Sequence, residues 1–130
     1  MVHQVGYGPA GEPFPTTFYL TCPSAVERLG VLEDAGGVER YQRLISVDTE
    51  AAASYRWGAR RQRQLRRPAA VMLDGGRSLR LGIGGTERDG AVKCLHAHAA
   101  FALAEPGYEL GRRMLEEAAP LFPLDRCCCR

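Results

Sequence analysis

The sequence predicts an α+β fold in which a small antiparallel sheet packs against several α-helices. Residues 16–21 combine threonine with aromatic and aliphatic side chains, a composition that favours a strand. Residues 69–83 alternate apolar and polar positions around Asp74-Gly75-Gly76-Arg77, which is the pattern of a β-hairpin. Most of the other stretches repeat apolar residues at helical spacing. The 130 residues suit a single core, so we expect one globular domain at 1–124 and a flexible tail at 125–130 that carries Cys127, Cys128 and Cys129.

Three helices are predicted between the first strand and the hairpin. The first runs from Pro23 or Ser24 to Ala35, because proline suits a first helical turn and Gly36-Gly37 can end the helix. The second covers about 38–45. The third is long, from an N-capping Asp48 to Arg67, and Pro68 is expected to end it.

Two more helices are predicted after the hairpin. Residues 90–104 are apolar almost all round, which is typical of a helix buried on more than one side, so we expect a central helix there. The last helix covers about 108–119, before Pro120 and Pro123. No internal repeat or long linker interrupts this order of elements.

Composition and charge limit the classes of function. Hydrophobic residues make up 45% of the chain and charged residues 25%, which is ordinary for a globular protein, and the net charge of +2 is too small to indicate nucleic-acid binding by itself. No apolar run approaches the ~20 residues of a membrane span, and the N-terminus resembles no signal peptide. We therefore expect a cytoplasmic protein without a membrane partner. The five cysteines do not form the pattern of a secreted disulfide framework.

The start of the predicted central helix carries a dense group of chemically versatile side chains. Cys94 and His98 are four residues apart and share a helix face, as metal-ligand pairs often do, whereas Cys94 and His96 point apart. With Cys22, this pair predicts a metal site, and zinc is the metal that best suits thiolate and imidazole. A second interpretation makes Cys94 a nucleophile with His98 as its base and Lys93 orienting an acidic substrate. For each residue taken singly, the favoured interpretation is the plain one, a buried thiol and a hydrogen-bonded core histidine.

A glycine-rich turn precedes this segment and has two interpretations, an ordinary turn and an anion site. Backbone N–H groups between a strand and a helix can bind anions, and Gly84 and Gly85 lie in such a position, close to Arg88 and Lys93. The string matches neither a P-loop nor a dinucleotide fingerprint. An ordinary turn with Asp89 as a cap is therefore the favoured interpretation, and the anion site is the alternative.

Arginines recur along the long helix. Arg56, Arg60, Arg63 and Arg67 form a basic stripe on one side, and guanidinium groups in a row can contact the phosphates of nucleic acid. A charged helix face is more often only solvated, so nucleic acid is a possible but not a favoured partner.

Several short strings resemble a bacterial family catalogued as domain of unknown function 501. They are Glu12-Pro13-Phe14-Pro15-Thr16, Leu20-Thr21-Cys22-Pro23, Leu32-Glu33, Gly84-Gly85 and Val92-Lys93-Cys94-Leu95-His96. The resemblance spans roughly residues 12–103 and implies no known activity. It implies that the family pattern includes Thr16, Thr21, Cys22, Lys93, Cys94 and His96. Members typically carry another histidine where this chain has Phe101. They also often begin with a cysteine-containing extension that is absent here. Both departures count against a metal site built from those positions.

These observations favour a small-ligand- or metal-binding module, or an accessory protein, whose site surrounds Cys22, Lys93, Cys94 and His96 or His98. A small anion or a metal ion would be its ligand, with Thr16, Thr21, Gly84, Gly85, Arg88, Lys93 and His96 as the candidate anion-binding residues. The alternatives are a cysteine-dependent enzyme acting on an acidic substrate and a nucleic-acid-binding protein that uses the arginine stripe.

Overall fold

A computed structural model describes residues 2–4, 7–14 and 16–119 of the chain. In chain order its elements are β1 (Val2–Gln4), β2 (Phe18–Leu20), α1 (Pro23–Asp34), α2 (Gly37–Val47), α3 (Thr49–Asp74), a 3-10 helix (Arg77–Arg80), α4 (Leu95–Ala104) and α5 (Glu109–Ala118). The predicted tail at 125–130 lies outside the described residues. No helix in the described ranges is both long and apolar enough to cross a membrane.

The predicted α+β fold class is wrong, because the described chain is mostly helical. The strand predicted at 16–21 shrinks to the three residues of β2, which pair antiparallel with β1 in the register Val2–Leu20, His3–Tyr19 and Gln4–Phe18. The hairpin predicted at 69–83 does not form. Its first half belongs to α3, and its second half is the 3-10 helix followed by turns.

The glycines at 75 and 76 explain the error. Gly75 has a φ of 64° and closes α3, and the N–H of Gly76 donates to the carbonyl of Ala70 at 3.0 Å. A left-handed glycine of this kind is as typical of a helix end as of a hairpin turn. A turn does therefore occur at these glycines, but it ends a helix and does not join two strands.

Helix α3 also continues through Pro68, where the sequence predicted its end. Proline removes one hydrogen bond to the carbonyl four residues earlier, which here belongs to Gln64. Both Pro68 and Gln64 are exposed, so water can hydrate that carbonyl. The loss of one solvent-side hydrogen bond does not outweigh the packing of Ala70 and Asp74, which are both buried.

Helix α4 lies in the core, against β2, α1 and α5. It begins at Leu95 instead of residue 90, because Gly90 is left-handed (φ 74°) and Cys94 is extended (φ −154°, ψ 152°). Two of its own residues, Leu95 and Phe101, are buried, and so are the neighbouring Tyr108 and Leu110. Helix α3 packs closely on this core, since a Cβ at Gly58 would lie 2.5 Å from the ring of Tyr108.

Buried and partly buried hydrogen bonds attach the N-terminal segment to α3. The hydroxyl of Tyr7 donates to Asp74 Oδ2 at 3.0 Å. The guanidinium of Arg66 donates to the carbonyl of Phe14 at 2.5 Å and to Thr17 Oγ1 at 3.4 Å. Arg66 is thus a structural arginine that points inward, unlike its neighbours on α3.

Candidate functional site

Five arginines surround a concave surface of about 300 Å³ between α3 and the segment that follows it. We call this surface the arginine groove and define it by Arg56, Arg60, Arg63, Arg80 and Arg88. Three of these belong to the predicted stripe on α3, and Arg88 belongs to the predicted glycine-turn site. The structure therefore joins two sites that the sequence suggested separately.

The spacing of α3 builds one wall of the groove. Positions 56, 60 and 63 share one side of the helix, while Tyr55, Ala59 and Gln62 beside them are buried. Arg67 continues the same stripe by one turn, but it is exposed and does not line the groove.

Hydrogen bonds from α2 and α3 hold the opposite wall. The hydroxyl of Tyr55 donates to the carbonyl of Ala91 at 3.0 Å, and Gln62 Nε2 donates to the carbonyl of Leu81 at 3.4 Å. The side-chain amide of Gln42 donates to the carbonyl of Gly90 and accepts from the N–H of Val92 at 2.8 Å. These bonds fix the segment 81–92, which carries Arg88.

Charge in the groove is not balanced. Within the described part of the chain, Arg56, Arg60, Arg63 and Arg88 form no ion pair, and Arg80 approaches Glu87 only at 3.6 Å, with both side chains more than two-thirds exposed. Glu87 and Asp89 are the acidic side chains in the lining. By contrast, Arg61 on the same helix makes a two-pronged bond with Glu105 at 2.9 and 3.2 Å.

A second group of polar contacts lies at the start of α4, and we call it the Glu33 cluster. It consists of the side chains of Glu33 and His96 with the backbone groups of Val26 and Leu95. Glu33 Oε1 accepts from the N–H of Leu95 at 2.6 Å and lies 3.0 Å from His96 Nδ1. The other ring nitrogen, Nε2, lies 2.9 Å from the carbonyl of Val26. Both ring nitrogens therefore face an oxygen of α1.

His96, one of the predicted anion-binding residues, belongs to this cluster. A negative charge is favourable at a helix N-terminus, and the carboxylate of Glu33 supplies it from within the chain. Gly84 and Gly85 are both left-handed, with φ angles of 76° and 78°. The N–H of Gly85 is already used, because it donates to the carbonyl of Gly82. Gly84 lies close to α4, since a Cβ at this position would be 3.4 Å from the Cβ of Ala97. Lys93 is exposed beside them.

Cys94 and His98 have separate environments. Cys94 is half-buried; burial raises the pKa of its thiol, and the charge of Glu33 adds to the rise, so the thiol form dominates at neutral pH. His98 is fully buried, with Nδ1 2.6 Å from the hydroxyl of Tyr108, and burial lowers the pKa of its imidazole to about 4. Neither environment favours the predicted nucleophile and base.

The structure does not assemble the predicted zinc site. Cys22 is buried at the start of α1, and no group of three His, Cys, Asp or Glu side chains that could hold a metal ion occurs among the described residues. Thr16, Cys94 and His96 do meet, with Phe18 and Leu20, around a small and almost wholly apolar cavity of about 80 Å³. Thr21 is exposed.

Two important residues were missed by sequence reasoning. Glu33 was present only as part of the string Leu32-Glu33, and nothing in the sequence linked it to His96, which is 63 residues away. Arg80 was placed in a predicted strand, so it was not considered with the arginines of α3.

The structure thus defines a small, mainly helical protein with an arginine-lined groove on its surface. The chain belongs to the family described as "Protein of unknown function (DUF501)", whose model matches residues 2–116. No curated protein and no solved structure matches the chain.

Proposed function

We propose that this protein binds a phosphate-bearing anion in the arginine groove. The observation that carries the proposal is the placement of five arginines around one concave surface, four of them without an ion-pair partner in the described part of the chain. The sequence favours a small-ligand- or metal-binding module, or an accessory protein, with its site around Cys22, Lys93, Cys94 and His96 or His98. The proposal keeps the small ligand but locates it in the arginine groove.

The electrostatics of the groove support this assignment. Like charges held close together repel, so a cluster of arginines costs stability unless an anion neutralises it. Guanidinium groups are permanently charged and present a planar fork of donors that matches phosphate oxygens in pairs. Arg63 adds a specific feature, because its Nε atom is buried and has no hydrogen-bond partner among the described residues.

The shape of the groove supports a small ligand over a nucleic-acid strand. Binding of single strands usually combines a basic track with exposed aromatic rings on which bases stack. The aromatic residue in the lining is Tyr55, which is only 3% exposed and whose hydroxyl is already bonded. The volume of about 300 Å³ lies at the lower end of the range of small-molecule pockets.

Isothermal titration calorimetry with inorganic phosphate at low ionic strength tests the proposal. Arg60→Gln removes an exposed arginine that lines the groove, and Arg67→Gln is the matched control on the same helix. We expect Arg60→Gln to weaken phosphate binding about tenfold, in keeping with the loss of one charge-assisted bond. Arg67→Gln should leave it within twofold.

Two results would overturn the proposal. One is the absence of measurable phosphate binding by the unmodified protein. The other is equal weakening by Arg60→Gln and Arg67→Gln, because that would indicate a diffuse charge effect along the whole stripe. Tight binding of a ten-nucleotide single-stranded RNA that depends equally on both arginines would assign the stripe to nucleic acid instead.

A further inference from the structure

A second cavity of about 470 Å³ lies next to the arginine groove, between α2 and α3, and we call it the side cavity. The two cavities share the residues Tyr55, Arg56, Arg88 and Asp89, which we call the junction. A ligand held by Arg56 and Arg88 therefore lies next to both cavities.

The two cavities differ in charge. Beyond the junction, the lining of the groove includes three further arginines, whereas the side cavity is completed by Gln42, Ile45, Ser46, Ala52 and Gly90. None of these five residues is charged. A ligand that fills both cavities should therefore carry its negative charge at one end and an uncharged portion at the other.

The polar groups in the side cavity favour a hydroxylated portion. The amide of Gln42 is already used by Gly90 and Val92. The hydroxyl of Ser46 donates to the carbonyl of Arg43 at 2.6 Å, which leaves its oxygen able to accept. Asp89 forms no ion pair or hydrogen bond through its carboxylate within the described ranges, so it too offers acceptors. Acceptors beside the apolar Ile45 and Ala52 suit a carbon skeleton that bears hydroxyl groups.

From this asymmetry we infer that the ligand is a phosphomonoester of a hydroxylated carbon skeleton, the chemical class of the sugar phosphates. Its phosphate lies among the arginines, and its hydroxylated portion lies in the side cavity against Ala52, with Asp89 and Ser46 accepting from the hydroxyls. This assignment rests on the proposed function and specifies the ligand of the same groove.

Calorimetric titrations with ribose 5-phosphate and with inorganic phosphate test the inference. We expect ribose 5-phosphate to bind at least tenfold more tightly than inorganic phosphate. Ala52→Phe should fill the side cavity and remove this advantage, while the affinity for inorganic phosphate stays within twofold. Ala53→Phe is the matched control, because Ala53 is exposed on the same helix and lines neither cavity; it should change neither affinity.

Asp89→Asn provides a second variant, which should affect the two ligands differently. Removal of a negative charge from the junction should strengthen the binding of inorganic phosphate about two- to threefold. Loss of a charged acceptor should reduce the advantage of ribose 5-phosphate about threefold. An equal rise in the affinities of both ligands would indicate a purely electrostatic effect of Asp89 and would overturn the inference.

The outcomes separate this inference from the proposal on which it rests. Equal affinity for the two ligands, or equal weakening of both by Ala52→Phe, would overturn the inference while phosphate binding itself stands. Absence of binding of inorganic phosphate to the unmodified protein would overturn the proposed function instead.

Discussion

The Glu33 cluster and the arginine groove both concentrate charged groups, but they differ in how the charge is neutralised. In the cluster, the carboxylate of Glu33 is bonded to the N–H of Leu95 and to His96, and the second ring nitrogen of His96 faces a carbonyl. In the groove, four arginines have no such partner in the described part of the chain. The charge of the cluster is neutralised from within the chain, whereas we propose that the charge of the groove is neutralised by a bound anion.

The distinctive sequence strings and the proposed binding surface lie in different parts of the molecule. The string Val92-Lys93-Cys94-Leu95-His96 is the most distinctive of the chain, and the structure uses His96 within it to join α1 to α4. The arginines carry no short motif, yet they face an open surface. The cluster should therefore control stability, and the groove should control binding.

Removal of the Glu33 carboxylate should have the largest effect on stability. Glu33→Ala takes away an acceptor at the start of α4 and the partner of His96, so we expect the free energy of unfolding to fall by about 2–4 kcal/mol. Urea denaturation measures the loss. Glu27→Ala on the exposed face of α1 is the control and should change little.

Phosphate binding by the folded Glu33→Ala protein tests whether the Glu33 cluster takes part in binding. Affinity within twofold of the unmodified protein is expected, because Glu33 does not line the groove. A loss of binding without a loss of stability would show that the two regions have been assigned the wrong roles.

The buried His98 should make stability depend on pH in a defined window. The pKa of His98 is about 4 in the folded protein, against 6.5 for an unperturbed imidazole, because burial disfavours the charged ring. Between these values the unfolded chain binds a proton that the native protein does not. Stability from this group is therefore complete above pH 6.5 and is lost as pH falls towards 4, by about 2 kcal/mol at pH 5.

The variant His98→Phe isolates this contribution. It removes the titrating ring at similar size, so the difference in unfolding free energy between pH 7 and pH 5 should shrink by about 2 kcal/mol relative to the unmodified protein. Urea denaturation at the two pH values measures that difference. An unchanged pH dependence would mean that His98 is protonated in the native core.

Neutralisation of one groove arginine should have the smallest effect on the stability of the ligand-free protein. Arg60→Gln removes a repelled and exposed charge, so we expect the free energy of unfolding to stay within about 0.5 kcal/mol or to rise slightly. Arg61→Gln is an informative neighbour, since it breaks the pair with Glu105 and should lower stability. Greater destabilisation by Arg60→Gln than by Arg61→Gln would contradict the unbalanced charge of the groove.

Local signals predicted much of the helical framework. Pro23 at the start of α1, Asp48 at the start of α3 and apolar spacing along α5 are short-range features, and the helices occur where these features place them. The hairpin at 69–83 failed because Gly75 ends a helix with the same left-handed backbone that a hairpin turn requires. The end predicted at Pro68 failed because tertiary packing beyond it outweighs one lost hydrogen bond.

The candidate site could be predicted only in part for a related reason. The helical period placed Arg56, Arg60 and Arg63 on one side of α3, but a period cannot show what stands opposite that side. Arg80 and Arg88 reach the groove because the segment after α3 folds back and is held by Gln42, Tyr55 and Gln62. Such long-range contacts leave no spacing pattern in the sequence.

Amide chemical-shift mapping during titration with inorganic phosphate would locate the anion directly. In a ¹H–¹⁵N correlation spectrum, we expect saturable shifts for residues 56–63 and 80–90, with little change at 93–98. Shifts centred on 93–98, with the groove unchanged, would place the anion at the start of α4 and overturn the proposed function.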